Sequence, residues 1–460
     1  MIFANKPKPS ADIHRRQSLW GQARRLAERT PASRNRYVDF LRAASISAVV
    51  LGHWLIAAPY YEPGKPDMQH LLAVSPWSQW ITWFFQVMPI FFFVGGYSNL
   101  TSWRAAQRRG DSYADWLGGR LRRLLQPVLP LLAVWSALAL LGQWFGVPDG
   151  FVRVGSRIAL VPIWFLAVYL LVALFVPFSS AAWQRFGLWS VAALVAGAAL
   201  TDLAFFGAGW RHLGWFNYLF VWLAVHQLGY AWRDGKLNSV GRTLWLFPAG
   251  LLSLLLLVNF GPYPLSLVGV PTETVSNTLP PKLPLLALGT AQIGLLLSLQ
   301  GPARRWLDRT TPWTATVMVN GMIMTLFLWH STAMILVIGA GFLVKPDLFT
   351  VVPGTVSWWA WRPIWVAVFA AATVPFLMGF SRFERAAARQ KPQVSVGRLY
   401  AGCLLSCAGL AWLALKGIGG SGHWLIDVAC LAMPFCGAAL AGFLSVSNQP
   451  EKQIRAAGTE

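Results

Sequence analysis

Arg42 and His53 stand eleven residues apart in RYVDFLRAASISAVVLGHWLI, residues 36–56. A histidine inside an apolar stretch marks a site, because an imidazole in hydrocarbon needs a partner or a water-filled cavity. Such a ring can act as a base or as a nucleophile. On an α-helix eleven residues return to within about 20° of the starting face and rise about 16 Å. Arg42 is therefore a cation at the cytosolic rim, below an imidazole near the bilayer centre. A second pair, Arg120 and Arg123 in GRLRRLLQPVLP, lies one helical turn apart with Arg122 facing elsewhere. Two guanidiniums on one face suit bidentate phosphate binding better than lysines. A topogenic anchor is the other reading of these arginines.

Further residues invite chemistry less directly. MPIFFFVGGYSN, Met88 to Asn99, closes an aromatic run with Gly95 and Gly96, which permit close approach of a neighbouring helix or ligand; packing is the plainer reading. In MTLFLWH, His330 lies about 25 Å along a helix from Trp313, nearer the outer face than His53. A catalytic histidine and one satisfied by a backbone carbonyl are both open there. His226 and the outer pair His423 and Asp427 carry less. Asp202 is expected to form a local ion pair with Arg211 or His212. Cys403 and Cys407 are spaced i, i+4, but with no paired histidine or second CxxC they read as small packing residues, and no metal site is expected.

These side chains need a membrane scaffold to position them. Of 460 residues 56% are apolar and 12% charged, against a soluble norm of roughly 25% charged. Long uncharged runs give about twelve spans, near 43–58, 80–97, 124–143, 158–177, 188–206, 215–232, 243–260, 284–300, 314–341, 356–379, 398–416 and 424–446. With the N-terminus inside, most of the 38 Lys and Arg residues fall on the cytosolic side, which puts both termini in the cytosol. The net charge of +21 is thus topogenic and does not point to nucleic acid. The first 35 residues form a basic extension in which SLWGQARRLAER is either an amphipathic helix on the inner leaflet or part of a disordered tail. Trp77, Trp80, Trp103, Trp183, Trp215, Trp358, Trp359 and Trp361, at expected span ends, read as an interfacial belt.

Asp39, Arg42 and His53 in DFLRAASISAVVLGH, FFFVGGY, the Arg120/Arg123 pair, PIWFLAVYL from Pro162 and the late LFLWH together resemble the membrane-bound acyltransferase 3 family. The likeness covers about ten spans, roughly residues 35 to 385. It implies transfer of an acyl group, commonly acetyl, from cytosolic acyl-CoA to a hydroxyl on a glycan, lipid or secondary metabolite. Residue by residue it implies His53 as the catalytic centre, Arg42 as its partner in donor binding, and Arg120 and Arg123 on the CoA phosphates. Tyr97 or a tryptophan N–H would serve the oxyanion, and Asp39 and His330 are secondary candidates. Two departures stand out. Gly95-Gly96-Tyr97 replaces the serine many members carry before Gly-Tyr, and no appended extracytoplasmic hydrolase-like domain is expected, which suggests direct transfer.

The expected architecture is all-α and polytopic in the plasma membrane. It comprises a basic extension (1–35), an acyltransferase-like core (36–385), and two additional spans with a short tail (386–460). Acyl-CoA is the expected donor substrate, no permanently bound cofactor is expected, and membrane lipids surround the chain. The loop from Pro262 to Lys282 is expected to be an acceptor lid, with a structural spacer as the alternative. A secondary transporter or flippase is the competing class. The lack of evident half-repeats and of a matched pair of broken helices speaks against it.

Overall fold

A computed structural model describes residues 18–386, except 32 and 63, and residues 394–443. The chain opens with α1 (Leu19–Glu28), capped by the Ser18 hydroxyl, which accepts the Gly21 N–H at 3.2 Å. α2 (Arg36–Ile56) is capped by the Asn35 side chain, which accepts the Tyr37 and Val38 N–H groups. It passes directly into an antiparallel ribbon, β1 (Ala57–Glu62) and β2 (Lys65–His70), in register from Ala57–His70 to Glu62–Lys65. Next come α3 (Leu71–Val74), a 3-10 turn, α4 (Thr82–Phe85) and the long α5 (Met88–Arg108). A reciprocal Ser112–Asp115 capping box starts α6 (Tyr113–Leu125). Then follow α7 (Val128–Trp144), α8 (Asp149–Leu160), α9 (Ile163–Leu174), α10 (Val176–Phe186), α11 (Leu188–Gly207), α12 (Asn217–Arg233) and α13 (Val240–Phe260). After a loop from Pro262 to Lys282 the chain continues through α14 (Leu283–Ser298), α15 (Gln300–Leu307), α16 (Thr310–Asn320), α17 (Ile323–Val344), α18 (Val356–Ala386), α19 (Val396–Lys416) and α20 (Trp424–Leu440).

The protein is an all-α polytopic membrane protein. Among the described residues, eight of the twelve expected spans are helical stretches long and apolar enough to cross a membrane, or ten if the bent pairs α8–α9 (47°) and α14–α15 (56°) each count as one. The two remaining expected spans are α12 and α20, each of seventeen residues. Helices of that length rise about 26 Å, at the lower edge of what crosses a bilayer. No matched pair of broken helices was expected, and the structure carries two bent pairs. Pro162, which has no N–H to donate, sits at the first of them.

At the centre, α5 and α12 meet backbone to backbone. A Cβ on Gly96 would lie 1.8 Å from the His226 carbonyl oxygen, and one on Gly229 would lie 2.1 Å from that of Phe93. The glycines of FFFVGGY therefore serve packing. α1 lies against α16, burying Ala23 and Ala27, and the Trp313 indole N–H reaches the Ala27 carbonyl at 3.3 Å. Residues 1–17 of the expected basic extension lie outside the described residues. α19 packs on α9, where the Cys407 thiol reaches the Ala167 carbonyl at 3.3 Å. Arg122 is buried against Phe443, at the end of α20. The last two helices thus pack on the core.

Two local expectations change. Asp202 makes no ion pair with Arg211 or His212; its carboxylate accepts from Asn217 Nδ2 (2.9 Å), Tyr263 OH (3.0 Å) and Leu283 N–H (2.9 Å). This ties both ends of the Pro262–Lys282 loop to α11. The same loop gives its Leu265 carbonyl to Trp83 and its Leu267 carbonyl to Gln86, while Asn277 bridges the Pro264 and Ser266 carbonyls. Pro262–Lys282 is thus hydrogen-bonded at both ends and along its length. Among the belt tryptophans, Trp103, Trp183 and Trp358 are buried, while Trp77, Trp80, Trp215 and Trp361 remain exposed.

Candidate active site

His53 lies three residues from the end of α2, and His330 lies at the start of the third turn of α17. His53 Nδ1 is 2.8 Å from His330 Nε2, with the rings 5.1 Å apart and 13° from parallel. The two histidines are therefore level, which corrects the expectation that His330 sits farther out. A straight helix from Trp313 does not exist, because the chain breaks at Gly321 and Met322 between α16 and α17. α17 is anchored at its start by the Glu384 carboxylate on α18, which accepts the Met324 and Thr325 N–H groups at 3.2 and 3.1 Å. A carboxylate suits those open N–H donors and the positive end of the helix dipole. The Trp54 indole N–H, 3.3 Å from the His330 carbonyl oxygen, ties α2 to α17 beside the rings.

The hydrogen bonds assign the tautomers. His330 Nδ1 faces the Phe327 carbonyl oxygen at 2.7 Å. A carbonyl only accepts, so this nitrogen carries the proton and His330 Nε2 presents a lone pair. In a neutral pair His53 Nδ1–H then donates to His330 Nε2, to which the Ser331 hydroxyl, at 3.1 Å, also donates. His53 Nε2 is left with a free lone pair. Any charge that develops on His53 strengthens its bond to His330, the arrangement a base or nucleophile requires.

The arginines converge one helical face lower. Arg42 Nη2 donates to the Ser98 hydroxyl at 3.0 Å, and Arg120 Nη2 reaches the Ser98 carbonyl at 3.4 Å and the Ser102 hydroxyl. Asp39 holds Arg34 at 2.5 Å and Arg42 at 3.8 Å, so it orients Arg42. Arg123 is exposed and lies within electrostatic reach of Arg120. The Arg42–Ser98–Arg120 cluster and His53 are separated by about 16 Å of α2.

Other candidates fall elsewhere. The Tyr97 hydroxyl accepts from Asn35 Nδ2 at 3.2 Å, at the opposite end of α2 from His53, so it is not brought to the histidines. His226 is fully buried against Asn99, 3.0 Å away, between α5 and α12. An apolar cavity of about 260 Å³, lined by Leu188, Val191, Leu246 and Leu286, also lies apart from the pair. Sequence reasoning missed His70 and the ribbon that carries it; the Pro63-Gly64 dipeptide between the two short runs was the available signal. Burial pushes His70 down to about 4. Among the described residues no group of three or more His, Cys, Asp or Glu side chains could hold a metal.

The histidine pair and the arginine cluster thus sit along one helix of a multi-helix membrane protein. The acyltransferase 3 model, described as an acyltransferase domain, matches residues 35–379. The chain belongs to that family and is a membrane acyltransferase. No curated protein and no solved structure matches it.

Proposed function

We propose that this protein transfers an acyl group, commonly acetyl, from acyl-CoA at the cytosolic face to a hydroxyl of a cell-envelope glycan, lipid or small-molecule acceptor. It would sit in the plasma membrane with both termini in the cytosol. The observation that carries this reading is the hydrogen bonding of the histidine pair, which leaves His53 Nε2 with a free lone pair. In the direct route His53 Nε2 removes the acceptor's hydroxyl proton as its oxygen attacks the thioester, and CoA leaves as a thiolate. In the two-step route the same nitrogen attacks the thioester and CoA leaves as a thiolate; the acceptor oxygen then attacks the acyl-imidazolium, the N–C bond breaks to return neutral His53, and the hydroxyl proton passes to water. Arg42 and Arg120 are the donor anchors, because guanidiniums match phosphate oxygens in charge and geometry. The climb of about 16 Å from Arg42 to His53 is one an extended pantetheine arm can make.

Membranes containing the protein, supplied with radiolabelled acetyl-CoA and no ion gradient, should form an acyl ester on a hydroxyl compound. His53→Gln should remove that product while leaving CoA binding intact. Near-normal turnover in His53→Gln would make His53 structural. Gradient-driven movement of an unmodified solute would instead favour the transporter reading, with which the two bent helix pairs are also compatible.

A further inference from the structure

The ribbon brings a third imidazole to the histidine pair. Ala57 caps α2 by donating its N–H to the His53 carbonyl, and in the ribbon Ala57 pairs with His70. Directly opposed residues on an antiparallel pair hold their Cβ atoms about 4.5–5.5 Å apart on one face. His70 is thus fixed beside the last turn of α2, one turn beyond His53 and within electrostatic reach of it. His70 Nδ1 is buried and has no hydrogen-bond partner. A buried ring nitrogen left unpaired is costly, so its retention calls for a use.

The histidine pair has no outlet of its own. His330 Nδ1–H points at the Phe327 carbonyl, which cannot carry a proton onward. The only carboxylate on α2, Asp39, lies fourteen residues below His53 and is engaged by Arg34 and Arg42. Outward the situation differs. Along β2, Lys65, Pro66 and Asp67 are exposed, and among the described residues only β1 pairs with it. A ribbon with an open edge is tolerated in a membrane protein where that edge meets water or protein, not lipid. His70 therefore stands between His53 and a solvated edge.

Resting on the acyltransferase reading, we propose that His70 is the proton outlet of the site. It takes at one ring nitrogen the proton that His53 Nε2 removes from the acceptor hydroxyl, and releases the proton of its other nitrogen to water along the ribbon. Atoms and charge balance: the acceptor O–H and the thioester C–S bonds break, and the ester C–O bond forms. The C–S electron pair leaves on the CoA sulfur as thiolate, and one proton leaves along the ribbon. His70 touches none of the reacting atoms and acts through His53.

The test uses inside-out membrane vesicles containing the full chain, supplied with radiolabelled acetyl-CoA, reading labelled ester and the solvent deuterium isotope effect. His70→Ala should slow ester formation about 10²-fold, the lower end of what proton-transfer assistance supplies. It should raise the isotope effect, leave CoA binding unchanged, and recover on addition of free imidazole. His70→Asn, which keeps a short polar side chain without relaying protons, should be as slow and recover less, since its side chain still occupies the space. A normal rate in His70→Asn, or a slow His70→Ala with an unchanged isotope effect and no response to imidazole, overturns the outlet while wild-type turnover leaves the acyltransferase reading standing. Wild-type vesicles that form no labelled ester overturn both.

Discussion

His53 and His330 are not equivalent, because the protein locks one ring and frees the other. His330 is held by a carbonyl on one nitrogen and by His53 and Ser331 on the other, whereas His53 is held on Nδ1 alone. His330→Ala should therefore keep CoA binding but lower turnover by roughly 10² in a labelled acyl-transfer assay, through loss of tautomer control and of charge stabilisation. An unchanged rate would show that His53 works alone. The arginines also differ. Arg120 points at Ser98 and Ser102, while Arg123 faces solvent. A charge-assisted phosphate contact contributes about 1.5–3 kcal/mol, so Arg120→Ala should weaken CoA binding about tenfold or more in a binding titration. Arg123→Ala should have the smaller effect, and equal losses would mean that both guanidiniums reach the donor.

The contact between α5 and α12 sets the positions of Tyr97, Ser98 and Asn99. A methyl group on Gly96 would collide with the His226 backbone, which no rotamer change relieves. Gly96→Ala should cost at least the roughly 1–3 kcal/mol typical of overpacking and lower the thermal midpoint in detergent. Retention of the wild-type midpoint would mean that the helices part freely. At the end of α12, Asp234 binds Arg104 of α5 and, at 2.9 Å, the Trp183 indole N–H of α10. Burial raises its pKa, but the Arg104 and Trp183 hydrogen bonds outweigh burial and hold it below the usual carboxylate value. A depressed folded pKa stabilises the protein above the unfolded value, near 4, and that stability is lost as pH falls through the folded value. Asp234→Asn should consequently lower the thermal midpoint at neutral pH, with the gap from wild type closing in acid. A gap that persists at low pH would assign the loss to packing.

For the whole molecule, the decisive geometry is that α2 ends beside His53 while α17 continues fourteen residues past His330. The ribbon occupies the difference in height, and Tyr61 on β1 reaches Phe342 far along α17, with ring centroids 6.4 Å apart. Arg42 and the ribbon thus lie toward opposite ends of one helix. In a background stripped of its four cysteines, Gly64→Cys should react with an impermeant thiol reagent on intact cells, and Ser33→Cys only after permeabilisation. Labelling of both from the same side would overturn the proposed sidedness.

Much of this was legible in the residues. Apolar runs too long for a soluble core must become helices in lipid, where backbone groups have no other partner, so the all-α polytopic class followed from composition. Arg42 and His53 share a face because eleven residues nearly complete three turns, and the family likeness rested on motifs local enough to read in order. What only the tertiary structure decided depends on contacts between distant segments. The partnership of His53 with His330 spans 277 residues and needs the break at Gly321 and Met322, which hydropathy alone does not register. The separation of Arg120 from Arg123 depends on which side α5 approaches. The ribbon was hidden because its short runs are polar enough to pass for a loop, and only the pairing of Ala57 with His70 brings that stretch beside the last turn of α2.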